Sequence, residues 1–168
     1  MPAPTRLLLT LLLALGLTLP AAAAPLATFD GQPAELADQT GQGQWTLVKI
    51  WASDCGVCNE EAHAYVAFHA AHQASDARMV GISLDGRANL FDAEAFVERH
   101  QLNYPNLITD WQGGGELFYR LTGTPLNGTP AFLLFDPDGK LVAQQVGAVP
   151  VELVETFIDS PIRTAQGG

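Results

Sequence analysis

The sequence predicts an α/β fold in which helices cover both faces of a mixed β-sheet. Two observations lead to this prediction. Short apolar segments rich in β-branched residues alternate along the chain with segments of helical periodicity, as in consecutive βα units. Near the C-terminus, two strand-like segments flank the hairpin signal Asp136-Pro137-Asp138-Gly139, and a last amphipathic segment follows. Parallel units followed by an antiparallel hairpin give a mixed sheet.

The first βα unit contains both cysteines of the chain. Residues 46–51 (TLVKIW) form a short apolar run typical of a buried strand. After Cys58, apolar residues recur at near-helical spacing, which predicts a helix with Glu60 and Glu61 near its start. The loop between strand and helix carries the two cysteines in a CxxC pattern.

The remaining elements alternate along one domain without internal repeats or linkers. Predicted strands cover residues 78–84, 106–109, 131–135 and 140–145. Predicted helices cover residues 92–100, 115–121 and about 151–157. Residues 37–44 are expected to form a surface loop and residues 166–168 a loose tail.

Residues 1–23 have the order of a secretory signal peptide. Arg6 precedes a leucine-rich run, and alanines follow Pro20. We expect cleavage after Ala23 and a mature domain over residues 24–168; an uncleaved anchor is the alternative. With no cysteine near the cleavage site, a lipoprotein anchor is excluded, and no stable membrane anchor is expected after cleavage. Localisation in the periplasm follows.

The chain is acidic, with 8 basic and 18 acidic residues and a formal net charge of −10. Such a surface repels phosphate backbones and anionic lipids, which argues against binding to nucleic acid or to a membrane surface. It does not distinguish among other functions.

Two cysteines in an exported protein call for redox chemistry or metal binding. A structural disulfide between residues three apart closes a very small loop and constrains the unfolded chain little. At a helix N-terminus, free N–H groups and the helix dipole favour an anion, so a thiol there ionises more easily. Cys55, at the loop end, is therefore the predicted attacking thiolate, and Cys58, further inside, the resolving thiol.

The chain resembles thioredoxin-fold proteins, and specifically the TlpA/ResA-like group of bacterial extracytoplasmic thiol-disulfide oxidoreductases. Four segments carry the resemblance, in the order found in that group. They are LVKIWASDCGVC at 47–58, VGISLDG at 80–86, AFVERHQLNYPNLITD at 95–110 and GTPAFLLFDPDGKLV at 128–142. The resemblance implies a thioredoxin-like domain with an N-terminal extension and a helix-strand insertion at about residues 85–110.

The resemblance also implies a substrate-binding surface. Pro130 would be a cis proline packed against the CxxC disulfide, and the backbone of Thr129 would pair with the substrate. Pro125 follows the same Gly-Thr pair but does not lead into a strand, so Pro130 is preferred; an ordinary trans proline is the alternative. Trp51, before the CxxC loop, is predicted to belong to this surface.

Four residues are predicted to tune the redox chemistry. Gly56 and Val57 lie between the cysteines, and Asp54 stands where the group usually has an aromatic residue. Lys49 takes the place of an acid that many thioredoxins bury. Its ammonium would either reach the sulfurs or extend from the strand end to solvent.

The predicted function is reduction of disulfides in exported client proteins by a dithiol/disulfide cycle. The resemblance implies no cofactor besides the Cys55–Cys58 pair, a membrane thiol-disulfide reductase as electron donor, and apocytochrome c or copper-site proteins as typical clients. Oxidation of clients is the alternative.

Three further classes remain as alternatives. Copper or zinc handling would use the cysteines with histidines of the next helix, but His63, His69 and His72 are expected to be solvated on an exposed face. A redox-inert scaffold would not need both cysteines. Peroxidase chemistry is disfavoured, because the chain lacks the TxxC pattern of peroxiredoxins.

Overall fold

The computed structural model describes residues 26–160. The predicted signal peptide and the C-terminal tail at 166–168 lie outside this range. The strands are β1 (Leu26–Thr28), β2 (Pro33–Ala34), β3 (Trp45–Trp51), β4 (Ala77–Ser83), β5 (Asn106–Ile108), β6 (Ala131–Phe135) and β7 (Leu141–Val146). The helices are α1 (Gly56–His72), α2 (Leu90–His100), α3 (Trp111–Thr122) and α4 (Val151–Ile158). Short 3₁₀ turns lie at Leu36–Gln39 and Arg87–Asn89.

The strands form one mixed sheet in the order β2-β1-β5-β4-β3-β6-β7. β3 is parallel to β4 and antiparallel to β6, and β4 is parallel to β5. The predicted hairpin is present: β6 and β7 pair antiparallel, and the Gly139 N–H donates to the Asp136 carbonyl in the turn. The predicted mixed sheet is confirmed.

Alternating residues of β3 direct the two faces of the sheet to different helices. Val48 and Ile50 belong to a core that contains Leu117 and Phe118 of α3. On the other face, Leu47 packs with residues of α1 and α4. Trp51 joins a smaller core with residues of α1 and α2. Helices therefore cover both faces, with α3 on one side and α1, α2 and α4 on the other.

The helix-strand insertion is present as α2 and β5. β5 extends the sheet next to β4, while the apolar side of α2 packs Ala93 and Phe96 against Trp51 and α1. This packing brings the insertion close to the loop that carries the cysteines.

The N-terminal extension contributes two strands that the sequence pattern did not reveal. β1 pairs with both β2 and β5 and so extends the sheet beyond the insertion. The expected surface loop at 37–44 overlaps the 3₁₀ turn Leu36–Gln39, whose Leu36 is buried in the core. Three-residue and two-residue strands are too short to show a hydrophobic period.

Candidate active site

The CxxC loop connects β3 to α1 at the centre of the sheet. Cys55 is the N-cap of α1, and Cys55 and Cys58 form a disulfide with a Cα–Cα distance of 5.2 Å. The Cys58 N–H donates to the Cys55 sulfur at 3.1 Å. This donor and the helix dipole would favour negative charge on the Cys55 sulfur once the disulfide is reduced.

The two sulfurs differ in exposure. Cys58 is completely buried, whereas Cys55 is half-buried and Gly56 and Val57 beside it are exposed. Asp54 is also exposed, so water screens the charge of its carboxylate from the sulfur. Cys55 is therefore the more accessible of the two cysteines.

Hydrogen bonds anchor the loop on both sides of the cysteines. The Asp85 carboxylate accepts from the Ser53 N–H at 3.1 Å and from the Ser53 hydroxyl at 2.6 Å. The Asn59 side-chain amide donates to the carbonyls of Ser53 at 3.1 Å and of Cys55 at 2.9 Å. The side chains of Asp85 and Asn59 thus hold the backbone that leads into Cys55.

The segment before β6 ends at the same edge of the sheet as the CxxC loop. Ala131 pairs with Ile50 in antiparallel register, so Pro130 and Thr129 continue toward the point where the chain leaves β3. The Thr129–Pro130 peptide bond is cis, and Pro130 is buried. Among residues 26–160, the Thr129 main chain forms no hydrogen bond.

Lys49 forms a buried ion pair, which neither expectation for this residue anticipated. Its side chain is buried, with the ammonium 3.0 Å from Glu61 and 4.6 Å from the centre of the Tyr65 ring. The expectation that Lys49 extends to solvent is wrong, because it lies on a central strand covered by α1. Burial lowers the pKa of Lys49 and raises the pKa of Glu61, while their mutual attraction opposes both shifts.

Trp51 belongs to the core rather than to a substrate-binding surface. It is completely buried, stacks on Phe96 with ring centroids 4.3 Å apart, and donates its indole N–H to Asn106 at 3.2 Å. The prediction that Trp51 contacts substrate is wrong, because the insertion covers its ring.

The three histidines of α1 have different environments. His63 is exposed as expected, but His69 is buried and accepts a hydrogen bond from the Met79 N–H at 3.1 Å. His72 pairs with Asp76 at 2.9 Å and with Glu155 at 3.4 Å. The expectation of solvated histidines is therefore wrong for His69. Within residues 26–160, no group of three or more His, Cys, Asp and Glu side chains is placed to hold a metal ion.

Three polar residues near the CxxC loop were not identified as functional from the sequence. Glu61 follows Cys58 by three residues, so it lies one helical turn below that cysteine. A carboxylate one helical turn after a cysteine, together with a lysine inside an apolar strand, is a sequence pattern from which the ion pair was predictable. Asn59 and Asp85 gave no such pattern, because their roles depend on contacts with Ser53 made only in the folded chain.

The fold and the disulfide at the start of α1 define a thioredoxin-fold protein with a CxxC redox centre. The chain belongs to the AhpC/TSA family, whose model matches residues 15–144. It is 23% identical over 135 residues to sporulation thiol-disulfide oxidoreductase A of Bacillus subtilis, with 80% of this chain and 76% of that protein covered.

Solved structures of similar fold also include disulfide oxidoreductases. A secreted Mycobacterium tuberculosis disulfide oxidoreductase homologous to Escherichia coli DsbE is 26% identical, with a TM-score of 0.57 over 77% of this chain and 90% of that chain. StoA from Bacillus subtilis is 20% identical, with a TM-score of 0.59 over 82% and 99%. A thioredoxin-family thiol:disulfide interchange protein from Chlorobium tepidum is 19% identical, with a TM-score of 0.65 over 79% and 88%. The protein is a thioredoxin-like thiol-disulfide oxidoreductase.

Proposed function

We propose that this protein is a periplasmic reductant that transfers electrons from a membrane thiol-disulfide reductase to disulfides of exported proteins. The observation that carries the proposal is the asymmetry of the CxxC pair, with Cys55 accessible at the N-cap of α1 and Cys58 buried behind it. This arrangement suits an attacking thiolate followed by an internal resolving thiol.

The cycle begins with both cysteines reduced. The Cys55 thiolate attacks one sulfur of a client disulfide, forming a mixed disulfide and releasing the first client sulfur as a thiolate. Cys58, deprotonated, then attacks the Cys55 sulfur, which forms the Cys55–Cys58 disulfide and releases the second client sulfur. Two electrons pass to the client, and the two protons lost by the cysteines balance those taken up by the client thiols.

Client binding is assigned to the backbone of Thr129, next to Pro130. Its N–H and carbonyl form no hydrogen bond with another described residue, and β6 brings them to the edge of the sheet from which the CxxC loop leaves. An extended client segment could form backbone hydrogen bonds there, with its disulfide beside Cys55. Cysteine-containing exported proteins such as apocytochromes c or copper-site proteins are the proposed clients.

Residues 1–23 support an extracytoplasmic location, as does the similarity to a secreted mycobacterial oxidoreductase. Within residues 26–160, no helix has the length and apolar character needed to cross a bilayer. Fractionation of cells that express the full chain, with mass measurement of the product, tests this part of the proposal. A periplasmic product lacking residues 1–23 is expected, whereas a cytoplasmic product that retains them would contradict it.

Oxidation of clients is a second candidate, and one observation favours it. The Cys58 N–H and the start of α1 both stabilise negative charge on Cys55, and stabilisation of the reduced form makes a CxxC pair more oxidising. The direction of electron flow therefore depends on the reduction potential.

Equilibration of the pair with a glutathione redox series, read by thiol alkylation and mass, measures that potential. A value near that of thioredoxin, about −270 mV, would support the reductant. A value near that of DsbA, about −120 mV, would support the oxidant and contradict the proposal. Failure of the pair to cycle would overturn both.

A further inference from the structure

The insertion helix α2 ends in a histidine that contacts the anchor of the CxxC loop. His100 is the last residue of α2, and its side chain is buried. Its Nε2 lies 2.8 Å from the Oδ1 of Asn59, the residue that follows Cys58. This contact joins residues 41 positions apart in the sequence.

The hydrogen bonds of Asn59 fix which atom of His100 carries the proton. Both hydrogens of the Asn59 amide are used by the carbonyls of Ser53 and Cys55, so its Oδ1 must act as an acceptor. The nearest donor to this oxygen is His100 Nε2, and Arg99 approaches the same oxygen at 3.4 Å. His100 Nε2 therefore carries a hydrogen.

The surroundings of His100 favour the neutral ring with this single proton. Its Nδ1 is buried and has no hydrogen-bond partner among residues 26–160, so a second proton there would be left unsatisfied. Burial lowers the pKa of His100, and the charges of His63 on α1, Arg99 on α2 and Lys49 on β3 lower it further. The ring thus acts as a fixed donor at neutral pH.

We propose that His100 is a positioning residue for thiol-disulfide exchange: it orients the Asn59 amide, which holds the loop so that Cys55 stays at the N-cap of α1. The consequence concerns the Cys55 sulfur. At the N-cap it accepts the Cys58 N–H, and a loop released from Asn59 would lose this geometry and with it the stabilisation of a thiolate. The inference rests on the proposed role of Cys55 as the attacking thiol.

The test compares three variants by the rate at which iodoacetamide alkylates Cys55 of the reduced protein from pH 5.5 to pH 10. His100→Leu removes the donor, whereas His100→Gln offers an amide N–H close to the place of Nε2. His69→Leu is the matched control, because it also removes a buried imidazole that forms a hydrogen bond, but one that accepts from the Met79 N–H on β4. Mass mapping identifies the labelled cysteine.

His100→Leu is expected to slow alkylation of Cys55 by about three- to tenfold at pH 6.5, with no difference near pH 10 where every Cys55 is ionised. His100→Gln should stay within about twofold of the wild type. His69→Leu should lower the melting temperature but leave the profile unchanged. A His100→Leu profile equal to that of the wild type, or equal losses in His100→Leu and His100→Gln, would overturn the inference.

A second measurement tests the proposed contact between His100 and Asn59 even if His100→Leu does not fold. Long-range ¹H–¹⁵N correlation spectra of the wild type report the tautomer of each histidine. We expect His100 with its hydrogen on Nε2 and, because of its burial, with a pKa below the usual value for histidine. A hydrogen on Nδ1 would overturn the inference. This readout needs no exchange activity, so it tests the His100 contact separately from the proposed function. Failure of the CxxC pair to cycle would overturn the proposed function, whereas a hydrogen on Nδ1 in a protein that cycles would overturn only the role of His100.

Discussion

The two ends of β3 use polar side chains for different purposes. At the Trp45 end, they join elements of the scaffold: His72 of α1 contacts Asp76 before β4 and Glu155 of α4. At the Trp51 end, Asp85 and Asn59 hold a loop that carries an accessible cysteine. One end joins α1 to α4 and to the segment before β4, and the other holds a reactive group in place.

This difference separates stability from chemistry within one strand. Changes at the Trp45 end should alter the free energy of unfolding and leave the reactivity of Cys55 alone. Changes at the Trp51 end should alter reactivity by more than their effect on stability explains. The buried ion pair of Lys49 and Glu61 joins β3 to α1 near the CxxC loop. Changes to this pair are expected to alter both the free energy of unfolding and the reactivity of Cys55.

The largest expected effect is at the Trp51 end. Cys55→Ser removes the attacking sulfur and should lower the rate of disulfide reduction by about 10³-fold or more. Reduction of a disulfide-bonded model protein in the presence of dithiothreitol measures this rate. The unfolding curve of the reduced protein should be almost unchanged, and retention of even a tenth of the activity would contradict the assignment of Cys55.

Glu61→Leu should cost the most stability, because it leaves the Lys49 ammonium buried without its partner. Glu61 retains 15% side-chain exposure, so we expect a loss of about 2–3 kcal/mol, below that of a completely buried pair. Urea unfolding measures it. Glu60→Leu, at the exposed neighbouring position, is the matched control and should change stability by less than about 0.5 kcal/mol. Equal effects of the two variants would show that the ion pair does not matter.

Asp85→Ala should release the loop before Cys55. The Ser53 N–H and hydroxyl lose their acceptor, which should cost about 1–2 kcal/mol because water can replace part of the bonding at this half-buried position. Native-state hydrogen exchange of the Ser53 amide gives a local readout and should become at least about tenfold faster. Unchanged protection of this amide would contradict the anchoring role of Asp85.

The smallest effect is expected at the Trp45 end and depends on pH. Burial lowers the pKa of His72, but the hydrogen bonds that its ring donates to Asp76 and Glu155 outweigh burial and raise the pKa above its usual value. The resulting stabilisation is present below the pKa of the unfolded chain and is lost as pH rises through the higher pKa of the folded chain. His72→Gln should therefore destabilise the protein at pH 5.5, by no more than about 1 kcal/mol, and less at pH 8.5.

Thermal unfolding of the wild type and His72→Gln at both pH values checks this prediction. A larger effect at pH 8.5 would contradict the sign. The alkylation rate of Cys55 should be the same in both proteins, since His72 lies at the end of β3 remote from the loop.

Local signals allowed the sequence to predict most of the sheet and the redox pair. A continuous apolar run predicted β3, and the Asp-Pro-Asp-Gly turn predicted the β6–β7 hairpin, because both depend on neighbouring residues. Helical spacing after Cys58 placed the CxxC pair at a helix start. The structure begins that helix at Gly56, which puts Cys55 at the N-cap.

The environment of each site residue was harder to predict, because it depends on segments distant in the chain. Trp51 is buried among residues of α1 and of the insertion, with Phe96 stacked on its ring. Lys49 finds Glu61 because α1 crosses β3, which a strand pattern does not report. The contact between His100 and Asn59 requires the insertion to fold back onto α1.

Trapping of the mixed disulfide tests the central claim most directly. Cys58→Ser, reduced and mixed with a peptide that contains a disulfide, should accumulate a covalent adduct because no resolving thiol remains. Peptide mapping by mass should place the adduct on Cys55, while the wild type should release reduced peptide without accumulating an adduct. Absence of an adduct with Cys58→Ser, together with an adduct on Cys58 in the Cys55→Ser variant, would contradict the account.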